Sequence, residues 1–350
     1  MSERRFAERS LVQLTLVRFR EFIRQPEAVF WTFVFPILLA VGLGLAFRSR
    51  SPDKPKIGIV ASPGSRAAVA SLERDSSIVL EQLSDSAAAK ALRTGKIALL
   101  VLPDSDGKVR YMYDSDRSES ANARLVADRA IQVGAGRTDP VSVSEVKVTE
   151  KGSRYIDFVI PGLLGMNLMG SGVWGIGFAI VDSRSKRLLK RFMATPMSRS
   201  EYLLSFLFSR LFFLILEVVT LLGFGALAFG VPLRGSFLEL AAICLLSALA
   251  FSALGLLIAS RAKTVEGVSG LMNLVMMPMW IFSGVFFSSS NFPAVVQPVI
   301  KLLPLTAVND ALRANMLEGS QITALGLEMV VIVGWLVISF VAALKLFRWR

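Results

Sequence analysis

Residues 186–203 read KRLLKRFMATPMSRSEYL, a basic stretch set between two long apolar runs. On a helical wheel Leu188, Leu189, Phe192 and Met193 fill one side of 186–193, and Lys186, Arg187, Lys190 and Arg191 fill the other. Asp182, ahead of them, suits the positive end of a helix. Thr195 precedes Pro196, and a residue before proline is pushed out of the α region, so the helix stops near Ala194. Ser198-Arg199-Ser200-Glu201 then offers a capping box, with Ser198 as N-cap and Glu201 at the third helical position. A new helix starts there. A plain connector would need none of this. An anchor lying in the membrane interface and a helix that docks on a cytosolic partner both fit these residues.

The flanking runs belong to a set of six. A hydrocarbon core about 30 Å thick needs roughly 20 apolar residues per helix. Runs of that kind fall at 28–47, 158–181, 202–231, 237–260, 265–287 and 324–344. The chain is 53% hydrophobic with a mean hydropathy of +0.56, above the ~45–50% apolar content of soluble domains. The expected fold class is therefore a polytopic α-helical membrane protein with six transmembrane helices. The first run is longer than the core of a signal peptide and follows 27 charged and mixed residues, so it reads as a retained span.

Six spans place both termini on one face, and Lys and Arg choose which. Segments 1–27, 182–201, 261–266 and 345–350 hold seventeen of them, while the short connectors of the other face hold only Arg234, Lys301 and Arg313. Both termini are expected in the cytoplasm, with the chain in the plasma or inner membrane. The long segment 48–157 is nearly balanced, eighteen basic against fifteen acidic residues. The formal charge of +12 is thus a topology signal, and no nucleic-acid partner is expected.

Residues 1–27 contain an amphipathic stretch, with Val12, Leu16, Phe19 and Ile23 in one stripe and Arg18, Glu21 and Arg24 off it. It suits a helix lying in the headgroup plane. Residues 48–157 alternate strand and helix patterns: strands over 56–61, 77–83, 96–103, 108–114 and 142–148, and helices over 65–74, 85–95 and 118–133. Asp106-Gly107 reads as a hairpin turn. The segment is expected to be an extracytoplasmic α/β domain inserted between the first two spans. In 288–323, Pro293, Pro298 and Pro304 leave pieces too short to span, so short re-entrant or interfacial helices are expected on the outer face.

The chain has no histidine and one cysteine, Cys244. That excludes histidine metal sites, Ser-His-Asp and Cys-His catalysis, and an intrachain disulfide. Asp104/Asp106 and Asp114/Asp116 lack the spacing of a calcium loop and read as solvated turns, so no metal is expected. Gly95-Lys96 has no glycine five residues before it, so there is no phosphate-binding loop and no catalytic site.

Polar groups at membrane depth are functional candidates. Arg210 and Glu217 stand seven apart, on one face but two turns apart, too far for the contact of an i,i+4 pair. With Asn167 and Asn273 they are candidates for a translocation path or for polar contacts between helices. Six glycines crowd the second span, where small residues let backbones approach. Pro36 and Pro278 are expected to kink the first and fifth spans.

RLLKRFMATPMSRSEYLLS (187–205) resembles the cytoplasmic loop of ABC-2 type transporter permeases. YIDFVIPGLLGMNLM (155–169) is similar to the start of that family's second span, and LLPLTAVNDALR (302–313) to the segment before its last span. The order of parts also matches along essentially the whole chain, nearest to members resembling bacterial multidrug or export permeases with a large outer domain. The resemblance implies a half-transporter that pairs with a second copy or a paralogue. Its coupling helix would dock on a separate ATP-binding subunit through Lys186, Arg187, Leu188, Lys190, Arg191, Phe192, Ala194, Thr195, Pro196, Ser198, Arg199 and Glu201. ATP and magnesium would sit on that subunit, leaving this chain without a cofactor. A periplasmic adaptor is a further candidate partner, and the lipid bilayer a certain one. The expected cargo is an apolar or amphipathic molecule, moved outward. A receptor with an outer ligand-binding domain and a partner-docking loop is the alternative. An ion-coupled carrier fits less well, because no internal repeat is visible.

Overall fold

In lipid every backbone N–H and C=O must be satisfied within the protein, so long apolar segments fold as helices. The computed structural model describes residues 10–47, 54–60, 65–104, 108–138, 141, 144, 152–185, 199–262 and 264–346. Among them six helices are long and apolar enough to cross a membrane. The chain divides into two units, one of residues 49–148 and one of residues 1–48 with 149–350.

The helical unit opens with α1 (Ser10–Ile23), which packs against the third apolar helix, and α2 (Pro26–Ala46). Pro36 would clash with the carbonyl of Thr32 in a continuous α-helix and has no N–H to give it. The chain answers with a π-helical turn over Phe30–Val34, after which α-helix resumes at Phe35.

The other unit contains a four-stranded sheet in the order β2-β1-β3-β4, built from β1 (Lys56–Val60), α3 (Arg66–Arg74), β2 (Val79–Leu83), α4 (Asp85–Arg93), β3 (Leu99–Pro103), β4 (Val109–Met112) and α5 (Ser118–Gly134). β1 runs parallel to β2 and β3, whereas β3 and β4 pair antiparallel as far as Pro103 opposite Val109. Successive side chains point to opposite faces. Ile57, Ile59, Leu99 and Val101 meet α3 and α5, while Leu100 and Ile97 meet Ala88 and Ala91 of α4. Both faces are thus covered, which is why 97–102 reads as an unbroken apolar run. Tyr111 donates to Asp128 Oδ1 at 3.1 Å, and burial together with that bond pushes its phenol up to about 12. The expected turn at Asp106-Gly107 and the strand over 142–148 lie outside the described residues, apart from Ser144.

The helical unit resumes with α6 (Tyr155–Ser185), α7 (Arg199–Phe229), α8 (Phe237–Ala259) and α9 (Val265–Phe282). Short α10 (Gln297–Lys301) and α11 (Pro304–Arg313) precede α12 (Gly326–Leu346). Asp157 starts α6: its Oδ2 accepts from the N–H groups of Gly152 and Arg154 at 2.9 and 3.1 Å, and Arg154 clamps the carboxylate with two more bonds. Gly152 has φ +117, a conformation that side chains resist.

In α6 and α8, 56% of the apolar window is buried, against 17–22% in the other four helices, so these two form the middle of the bundle. Their backbones touch. A Cβ on Gly172 would lie 2.7 Å from Phe251 Cβ, and one on Gly255 would lie 2.6 Å from the carbonyl oxygen of Val173. The prolines of 288–323 also begin helices: Pro304 opens α11 and Pro298 sits in the first turn of α10. α11 is buried over most of its length, packed against α6, α8, α9 and α12.

Candidate functional site

Ten of the docking residues expected from sequence, Lys186 to Ser198, lie outside the described residues. Arg199 and Glu201 are the first and third residues of α7, so a helix does restart directly after Ser198. What the structure describes are the two helices that enclose this loop, α6 before it and α7 after it, and the polar groups that join them.

Arg210 and Glu217 meet. Arg210 Nη1 lies 3.2 Å from Glu217 Oε1, which corrects the expectation that two turns keep them apart. Seven residues advance the helix by about 10.5 Å and return to within about 20° of the same azimuth. A long guanidinium arm and a glutamate leaning back toward the N-terminus together span that distance. The pair is completed from α6. Arg210 Nη2 donates to Ser171 Oγ at 2.8 Å, and the Ser171 hydroxyl faces Glu217 Oε2 and the Asn167 carbonyl, both at 2.8 Å. Glu217 is 2% exposed and Arg210 17%. An isolated charge at this depth would be costly, and here the carboxylate has an ion partner on one oxygen and a hydroxyl on the other.

Asn167, one turn before Ser171, extends the network. Its Nδ2 donates at 3.1 Å to the carbonyl of Thr32, whose donor in an unbroken α-helix would be the N–H that Pro36 lacks. A polar line therefore runs from Thr32 on α2 through Asn167 and Ser171 on α6 to Arg210 and Glu217 on α7. Asn273 takes no part in it and sits exposed on α9. Thr32 and Ser171 were missed in the sequence. Ser171 had one legible signal, its place four residues after Asn167 in the otherwise apolar run 158–181.

At the end of α6 nearest the loop, Arg184 Nη1 donates to the carbonyls of Ala259 and Ala262, at 3.4 and 3.2 Å. It satisfies the last carbonyl of α8 and one in the connector that follows, and it suits the negative end of that helix. Sequence reasoning counted Arg184 only as a topology charge. At the opposite end of α6, Arg313 lies over the Phe158 ring at 3.6 Å, donates from Nε to the Phe158 carbonyl at 3.2 Å and from Nη2 to the Gly284 carbonyl. Asn309 Nδ2 donates to the Ser283 carbonyl at 2.8 Å, and its Oδ1 packs on the backbone of Gly165. α11 is thereby pinned to the first turns of α6 and the end of α9. No group of three metal-ligating side chains occurs among the described residues.

Comparison with known proteins agrees with this architecture. A family described as ABC-2 family transporter proteins matches residues 27–345. The chain is similar to a probable multidrug ABC transporter permease, YbhS, of Escherichia coli strain K12, 25% identical over 164 residues, 47% of this chain and 44% of that protein. It is similar also to nodulation protein J of Rhizobium meliloti strain 1021, 31% identical over 105 residues, 30% of this chain and 40% of that protein. Each match thus spans less than half of the relative's length.

Proposed function

The chain belongs to the ABC-2 family of transporter proteins, and we propose that it is the membrane subunit of an exporter driven by ATP hydrolysis in a separate subunit. Residues 186–201 are its coupling segment, docking on that subunit through the apolar and basic faces of the helix before Thr195-Pro196. The observation that carries this reading is the buried Ser171–Arg210–Glu217 network. It ties together the two helices that enclose the coupling segment. A push on the segment would move α6 and α7 as one body, and Asn167 would pass the motion on to α2.

A second copy or a paralogue completes the transporter, residues 49–148 lie on the outer side, and both termini are cytoplasmic. The cargo is apolar or amphipathic. The match to a probable multidrug permease supports that class, as do the exposed Leu274 and Met277 on α9.

The test is a mild-detergent pull-down of the full chain from its host, read by mass spectrometry, beside a bait carrying Arg191→Ala, Phe192→Ala and Pro196→Ala. The native bait is expected to recover an ATPase with a phosphate-binding loop, and the altered bait to lose most of it. Recovery of a kinase or regulator instead, with no such ATPase, would overturn the proposal in favour of a receptor.

A further inference from the structure

We propose that an acyl chain of an anionic phospholipid occupies the groove between α1, the start of α2 and α7. The groove encloses about 430 Å³ and its lining is apolar throughout, with five phenylalanines: Phe19, Phe22, Phe30, Phe33 and Phe213. Its walls are preformed. Phe22 packs on Phe213 at 4.3 Å between ring centroids and on Phe33 at 6.1 Å, and Phe19 packs on Phe213 at 5.7 Å. Water in such a space would find no hydrogen-bond partner.

Depth and charge name the occupant. α1 ends at Ile23 and the apolar helix α2 begins at Pro26, so the groove lies at a span's end, where headgroups give way to acyl chains. Phe19, Phe22 and Ile23 turn one stripe of α1 toward it. Arg20, in the last turn of α1 and about 105° from the stripe, and Arg24, in the turn after the helix with its N–H on the Arg20 carbonyl at 3.0 Å, are exposed and can hold a phosphate. Glu21 is exposed, and its place on the wheel is roughly 150° from the stripe. Glu27 sits in the first turn of α2, where the helix end favours a negative charge. Trp31, 60% exposed and edge-on to Phe30, marks the same level as an interfacial anchor. The groove thus offers a slot for a chain and a basic rim for an anionic headgroup.

The test is native mass spectrometry of the delipidated full chain, titrated with phosphatidylglycerol or with phosphatidylcholine of the same acyl chains. Phosphatidylglycerol is expected to be retained about fivefold or more over phosphatidylcholine, as one or two basic residues at a membrane surface would give. Arg20→Gln with Arg24→Gln should abolish the preference, and Val29→Phe with Leu216→Phe, which fills the groove, should lower retention of both lipids. Equal retention of the two lipids by the parent, or retention indifferent to groove filling, would overturn the proposal. So would a dimer that dissociates when the groove is filled, which would assign the groove to a second copy. If the filled variant does not fold, quenching of Trp31 decides, taken as the difference between parent and Trp31→Phe. Bromine-labelled phosphatidylglycerol should quench more than equally labelled phosphatidylcholine, and equal quenching would overturn the assignment.

Discussion

Glu217 is a carboxylate at 2% exposure in a stretch of α7, residues 211–229, that is otherwise apolar but for Thr220, and each of its oxygens has a partner. Removing one member of such a group is worse than removing both, because the survivor keeps its desolvation penalty without compensation. Glu217→Leu leaves Arg210 with Ser171 alone among the described residues to receive its N–H groups, and should cost on the order of 3 kcal/mol. Arg210→Met with Glu217→Leu should return stability to within about 1 kcal/mol of the parent. Cys244 is the chain's one thiol and is 2% exposed, so its reaction with a thiol dye on heating reports unfolding. The single variant should release Cys244 at a clearly lower temperature than parent or double variant. A double variant as unstable as the single would mean that the pair holds the fold through more than mutual compensation. If the network also transmits motion, the stable double variant should lose transport while keeping its fold. The contact itself was hidden in the sequence. Spacing placed the two residues on one face, but only side-chain reach and the hydroxyl of Ser171 decide that they touch.

The helices α6 and α8 show what a glycine does when backbones meet. The second span's six glycines look alike in the sequence, and the fold sorts them. A Cβ on Gly162 would lie 2.6 Å from the Val285 carbonyl oxygen, and Gly165, Gly172 and Gly177 face Asn309, Phe251 and Gly255 respectively, whereas Gly170 and Gly175 have open space. Gly255 is the sharpest case, because the atoms opposite it are backbone: the Val173 carbonyl oxygen at 2.6 Å and the Val173 Cα at 2.9 Å from the added carbon. Gly255→Ala must push α6 from α8 and should cost about 1–3 kcal/mol. Gly170→Ala should be neutral or slightly stabilising. Thermal release of Cys244 separates the two, and equal behaviour would show that the approach of α6 and α8 relaxes freely. Helices were legible because an apolar run of span length has few alternatives in lipid. Which turn of α6 meets which neighbour was not, since α6 has neighbours on several sides and no single stripe records them. The π turn at Phe30–Val34 was foreshadowed by Pro36 only as a kink. That the Thr32 carbonyl there is reached by Asn167 depends on two segments far apart in the chain.

For the whole molecule, charge sets orientation before packing sets anything else. Seventeen Lys and Arg on one set of short segments against three on the other is a large bias. Each basic residue in a short connector resists transfer to the outer face, whereas a long segment crosses largely regardless of its charge, so residues 49–148 do not enter the count. The proposed mechanism requires this orientation, because 186–198 must face the compartment that holds ATP. Cys244→Ala yields a background without thiols, in which single cysteines can be placed at exposed sites. Ser76→Cys, in the turn before β2, probes the sheet-containing unit, and Arg261→Cys, between α8 and α9, probes the basic side. A membrane-impermeant maleimide should label Ser76→Cys in intact cells and Arg261→Cys only after permeabilisation. The reverse pattern would invert the chain, and the docking loop would then lie where no ATPase could reach it. Labelling of both sites in intact cells would mean that the count of six spans is wrong by one between them. In the expected case a cytosolic ATPase can reach the loop, and the polar line from Arg210 to Thr32 gives its push a path into three spans at once.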